Sequence, residues 1–128
     1  MSAWVQSEAL TLTVSSGTAA TVAAAGTAYA DIDKNDYSPQ AMIAGVLVQV
    51  TPGATPDDNA EVYRYSGTGP ALLEVTAGWG QEIAATANTL NSVFVPLTDQ
   101  SAYERVLVSN EDSADTIAVA MYLCYRDA

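Results

Sequence analysis

Turn-forming residues interrupt this chain about every ten positions, and the stretches between them alternate apolar and polar side chains too strictly for helices. Trp4 to Val14 puts Leu10, Leu12 and Val14 on one side and Ala9, Thr11 and Thr13 on the other, the signature of a half-buried strand. After Ser15, Ser16 and Gly17, the Ala/Thr-rich stretch Thr18 to Ala25 reads as the returning arm of a hairpin. Met42 to Val50 turns Met42, Ala44, Val46, Val48 and Val50 one way and Ile43 and Leu47 the other, which predicts a central strand covered on both sides. Pro52, Gly53 and Pro56 end it.

Glu61 to Ser66 sets Tyr63 and Tyr65 on a shared face, expected to line a sheet or an interface between copies. Ala71 to Thr76 reads as another short strand, and Gln81 to Thr89 suits helix or strand. Leu90 to Leu97 resumes the β pattern, with Pro96 pushing its end to a sheet edge. Tyr103 to Asn110 and Thr116 to Arg126, joined by Glu111 to Asp115, form the clearest hairpin, with Ile117, Val119, Met121, Leu123 and Tyr125 as its inward stripe. Gly26 to Ala41 lacks a period, carries Asp31, Asp33, Asp36 and Pro39, and reads as a long loop. Eight or nine strands at this spacing predict an all-β fold, an antiparallel β-sandwich, with a jelly roll preferred over an immunoglobulin-like arrangement.

The length of 128 residues fits one domain spanning 1–128, with residues 1–8 as a candidate docking segment. With 49% hydrophobic and 15% charged residues, the chain has the apolar area for a packed core despite a net charge of −11. Fifteen acids face only Lys34, Arg64, Arg105 and Arg126. Four scattered cations cannot form the continuous basic stripe that phosphates require, so neither nucleic acid nor an anionic membrane is an expected partner. Cys124 stands alone and cannot form an internal disulfide; alternating with Ala118, Ala120 and Tyr122, it reads as a small buried thiol. The first thirty residues hold no Lys or Arg, so no signal peptide is expected.

The search for reaction chemistry returns absences. The chain has no histidine, which excludes His-based triads and His-ligated zinc, and one cysteine builds neither a thiolate zinc site nor an iron–sulfur site. Gly67 to Pro70 lacks the lysine and spacing of a phosphate-binding loop. Asp31, Asp33, Asn35 and Asp36 imitate the start of a calcium loop, but the sixth position is Asp36 rather than glycine and the twelfth is Met42 rather than glutamate. A solvated acidic loop is the expectation there, beside a looser calcium site. Asp57, Asp58 and Glu61 read as turn residues. The chain is expected to be no enzyme, with no catalytic residue, metal or cofactor. For binding, Trp4 and Trp79 are the candidates: Trp79, between Gly78 and Gly80, either presents its ring to a sugar or caps the core.

The C-terminal third, from Val93 to Asp127, resembles the ending of small β-sandwich structural and decoration proteins of tailed bacteriophage virions. The matching pieces are Val95 and Pro96, then Val108 to Asn110, then Thr116 to Leu123. The resemblance implies a non-enzymatic virion protein, made in the host cytoplasm, that decorates or cements a capsid through repeated weak contacts. Its implied partners are the major capsid protein or other virion proteins and further copies of itself, as in a homotrimer. A carbohydrate-binding or adhesin-like module is the alternative, and a pilus or surface-layer subunit a third reading that would need export.

Overall fold

In a computed structural model, which describes residues 4–18, 20–37, 42–98 and 101–126, two antiparallel sheets pack face to face. The strands are β1 (Val5–Ala9), β2 (Thr13–Val14), β3 (Gly17–Thr18), β4 (Thr21–Val22), β5 (Thr27–Asp33), β6 (Met42–Pro52), β7 (Ala60–Gly67), β8 (Trp79–Ile83), β9 (Asn91–Pro96), β10 (Tyr103–Ser109) and β11 (Ile117–Arg126). The first sheet runs β3-β4-β11-β6-β9, with β1 pairing β11 beyond β4. The second runs β2-β5-β10-β7-β8. Between β5 and β11 only the β7 to β8 connection stays within one sheet. Every other link crosses the sandwich, which is jelly-roll behaviour rather than a chain of hairpins.

The core is built from the inward halves of the alternating strands. Val46, Val48 and Val50 of β6, Val106 and Val108 of β10, and Ile117, Val119, Met121 and Leu123 of β11 are all buried. Branched side chains dominate because they fit a pleated surface with little loss of rotamer freedom. β6 is central, as its pattern predicts, but its outward face carries no second layer: Leu47 is half-buried between Tyr122 and Phe94. Pro96 closes β9 at the edge of the first sheet.

Five further expectations need correction. Trp4 to Val14 is two strands, because β1 lies in the first sheet and β2 in the second; Leu10 donates to the Met121 carbonyl at 2.8 Å and the chain then crosses. Gly26 to Ala41 is no loop in its first half: Thr27–Asp33 is a central strand whose inward residues are Ala28, Ala30 and Ile32. Residues 38–41 of that stretch lie outside the described residues. Ala71 to Thr76 makes only an isolated bridge between Leu73 and Gly67, because Glu74 and Gly78 donate back to Ser66 and Arg64 and hold the segment as a returning loop, with Leu72 and Val75 exposed.

The expected C-terminal hairpin is also absent. β10 and β11 belong to different sheets, and Asn110 to Thr116 arches between them. Finally, Cys124 sits on the outward side of β11, opposite Gly45, and is half-buried rather than buried, since the inward stripe is the odd-numbered one.

Candidate functional site

The outward face of the second sheet gathers chemistry from four strands. Burial of Ala28, Ala30 and Ile32 on β5 turns Tyr29, Asp31 and Asp33 outward. Burial of Val106 and Val108 on β10 does the same for Arg105 and Leu107, and burial of Val62 on β7 exposes Glu61, Tyr63 and Tyr65. The antiparallel registers then set these residues in rows. Tyr29, Leu107, Tyr63 and Gly80 form one row; Asp31, Arg105 and Tyr65 form the next; Asp33, Tyr103 and Gly67 form a third. Residues facing each other across strands lie close enough to touch.

Contacts fix the lattice. Arg105 grips Asp31 with two hydrogen bonds, Nε to Oδ1 at 2.7 Å and Nη2 to Oδ2 at 2.9 Å, and its guanidinium stacks on the Tyr29 ring at 3.9 Å. Tyr103 donates its phenol to Asp31 at 2.5 Å. Tyr63 donates to Glu61, and its ring leans on Tyr65 at 6.4 Å between centroids. Two hollows open on this face. One, of about 420 Å³, is lined by Glu61, Tyr63, Gly80, Gln81 and Glu82. The other, of about 230 Å³, is lined by Tyr65, Leu73, Glu74, Arg105 and Leu107. Gly80 keeps the first one open, because even a Cβ there would meet the Tyr63 ring at 3.1 Å.

These phenols hold their protons firmly. The hydrogen bond to Glu61 pushes the Tyr63 phenol up to about 12, and burial together with the bond to Asp31 pushes Tyr103 up to about 12. Both folded values lie above the ordinary tyrosine value near 10, so their contribution to stability is complete below about pH 10 and is lost as pH rises through the folded value. Ultraviolet titration is therefore expected to show two of the seven tyrosines ionising near pH 12, with loss of β-sheet circular dichroism accompanying them. Replacing Glu61 with Gln should return Tyr63 toward the ordinary value and leave Tyr103 unmoved.

The residues singled out in the sequence fall elsewhere. Trp4 is 54% exposed at the far end of β11, where the Arg126 guanidinium lies 4.7 Å from its ring centroid. Residues 5–8 of the candidate docking segment belong to β1 and are built into the first sheet, and residues 1–3 lie outside the described residues. Trp79 opens β8, pairs with Arg64 on the inward side and packs against the core. Of the calcium-like acids, Asp31 is held by Arg105 and Tyr103, while Asp33 caps a 3₁₀ turn, Lys34–Asp36, by accepting from the Asn35 amide at 3.0 Å. Among the described residues no three Asp, Glu, His or Cys side chains come together as a metal-holding group. Asp57 accepts from Ser113 and so ties the proline-rich turn to the β10–β11 arch.

The shared face of Tyr63 and Tyr65 was readable from their spacing. Tyr29, Tyr103 and Arg105 were not, although Thr27 to Asp33 carries a period-two signal once its alanines are counted as apolar. The outward face of the first sheet differs in kind. Its registered rows, Cys124–Gly45–Pro96, Tyr122–Leu47–Phe94 and Ala120–Gln49–Ser92, hold no charged residue and only one hydroxyl ring.

Solved structures share this architecture. The chain is similar to the CBM32 domain of AlyQ in complex with 4,5-unsaturated mannuronic acid, with a TM-score of 0.51 and 15% identity, covering 91% of this chain and 97% of that one. It is also similar to a truncated AlyQ with CBM32 and alginate lyase domains, with a TM-score of 0.53 and 14% identity, covering 100% of this chain and 35% of that one. The chain thus spans about a third of the length of that larger protein. At such identities the likeness shows a shared β-sandwich fold. A match to infectious bursal disease virus, at a TM-score of 0.37 and 14% identity, is too distant to carry an argument. No protein-family model and no curated protein sequence matches the chain.

Proposed function

We propose that this chain is a non-catalytic carbohydrate-binding module whose ligand lies on the tyrosine face of the second sheet. The observation that carries the reading is the clustering of Tyr29, Tyr63, Tyr65 and Tyr103 on one sheet face, interleaved with hydrogen-bonding carboxylates and two open hollows. Sugar rings offer apolar C–H faces to aromatic rings and hydroxyls to carboxylates, so a surface that alternates the two meets both needs. Solved carbohydrate-binding domains with a similar sandwich support the reading at the level of fold. The virion-decoration reading has less behind it, because the C-terminal hairpin on which the phage resemblance drew is an arch between sheets.

Retention on a glycan array, followed by calorimetry on the best binder, tests the proposal. Each lost aromatic contact is worth about 0.5–1.5 kcal/mol, so Y63A/Y65A together are expected to weaken binding by about 5- to 150-fold. Trp4→Ala, which leaves this face intact, is expected to change nothing. Unaltered retention by the double variant would sink the assignment of the face.

A further inference from the structure

We infer that the face takes two or more consecutive sugar units of an uncharged glycan chain, rather than a single sugar or a uronate; the inference rests on the carbohydrate-binding reading above. The two hollows flank β7, the first on its β8 side and the second on its β10 side. The first is lined from Glu61 and Tyr63, the second from Tyr65, and the two rings stand 6.4 Å apart. Positions 61 to 65 of a strand span about 13 Å. A sugar stacked on the Tyr63 ring leaves the Tyr65 ring for the next unit, so a chain passing from one hollow to the other meets Tyr63 and then Tyr65. Gly80 leaves the flank of Tyr63 bare, while the Leu72–Leu73 backbone lies over Gly67 and bounds the track beyond Tyr65.

Charge decides the class of glycan. The first hollow presents the carboxylates of Glu61 and Glu82, and the second presents Glu74. The one cation among their lining residues, Arg105, has its guanidinium held by both oxygens of Asp31 and stacked on Tyr29. A carboxylate-bearing sugar would meet a guanidinium whose charge Asp31 already balances and would lie beside three acids. A neutral sugar meets only acceptors for its hydroxyls and rings for its faces.

Calorimetric titration of the intact chain with cello-, manno- and xylo-oligosaccharides of one to four units, and with oligomannuronates of the same lengths, tests this. At least one neutral series is expected to gain about 10-fold or more in affinity between one and three units, Tyr65→Ala is expected to flatten that gain, and the mannuronates are expected to bind weakest. A neutral monosaccharide binding as tightly as its trimer, or mannuronates binding tighter than every neutral series, would overturn the inference while leaving the carbohydrate reading standing. Absence of binding both here and on the glycan array would overturn that reading and the inference with it.

Discussion

Replacing Glu104 with Ala is expected to unfold the sandwich about 10–20 °C earlier in a thermal melt. Its side chain is fully buried at the end of β10 and is the meeting point of four segments. It accepts from the Ser66 hydroxyl of β7 at 3.0 Å, and from the Thr98 hydroxyl and amide, just past β9, at 3.0 and 3.1 Å. Lys34, from the turn after β5, pairs with it at 3.0 Å, and Arg64 of β7 stands 3.8 Å away. Truncation leaves those two cations, with side chains only 19% and 11% exposed, without their counter-charge. Breaking a buried pair by deleting one partner costs about 3–5 kcal/mol. The Arg64 Nε has no hydrogen-bond partner, and the Pro96 and Gly78 carbonyls that accept from its Nη atoms are neutral and cannot replace the lost counter-charge. Glu104→Gln keeps an acceptor for Ser66 and Thr98 and should lose about half as much; adding Lys34→Met to Glu104→Ala should recover part of the loss. A shift of the Ala variant below about 3 °C would show that the ion pairs and hydrogen bonds contribute little.

Glu104 also marks a boundary of what the sequence could show. It lies at an inward position of β10, between Tyr103 and Arg105, and nothing in its neighbours distinguishes it from a surface acid. Its partners arrive from positions 34, 64, 66 and 98, so only the assembled sheets reveal it. The valine-rich strands were legible because β-branched residues at every second position admit few other readings. β5 was not, since Ala28 and Ala30 carry little hydrophobic signal and the outward Asp31 and Asp33 look like loop residues until Arg105 and the 3₁₀ turn are seen to use them.

The candidate site was legible to the same degree as its strands. Spacing alone put Tyr63 and Tyr65 together, but joining them to Tyr29 and Tyr103 requires knowing that β10 lies between β5 and β7. Strand order depends on contacts distant in sequence, and a period of two is silent on it. For the same reason the apolar matching of β10 and β11 suggested a hairpin: two adjacent strands with inward stripes look alike whether their stripes share a sheet or face each other across a core.

What sends β11 to the opposite sheet is the arch at Asn110, and Asn110→Ala is expected to destabilise the fold by about 3 kcal/mol. The buried amide of this side chain donates to the carbonyls of Val22, Ala23 and Asp115 at 3.0–3.1 Å, and its oxygen accepts from the Asp112 amide at 3.0 Å. One side chain thus satisfies backbone groups from the β4 exit and from both sides of the arch, where a hairpin would have used strand-to-strand bonds. Asp112 completes the structure by accepting from the Ala114, Asp115 and Asp57 amides, bonds that hold its carboxyl below the usual carboxylate range. Alanine at 110 removes the donor from three carbonyls, and leaving such groups without a partner costs about 1–3 kcal/mol each where water cannot replace it. Asn110→Asp should be worse than Ala, since it turns a carboxylate toward the same three carbonyls. Denaturant midpoints read the loss in stability. Amide exchange locates it: faster exchange at Asp112, Ala114 and Asp115, with β6 and β7 protected as before, is the expected pattern for damage confined to the arch. Midpoints within about 0.5 kcal/mol of the parent would mean that main-chain pairing alone directs β11 to the first sheet.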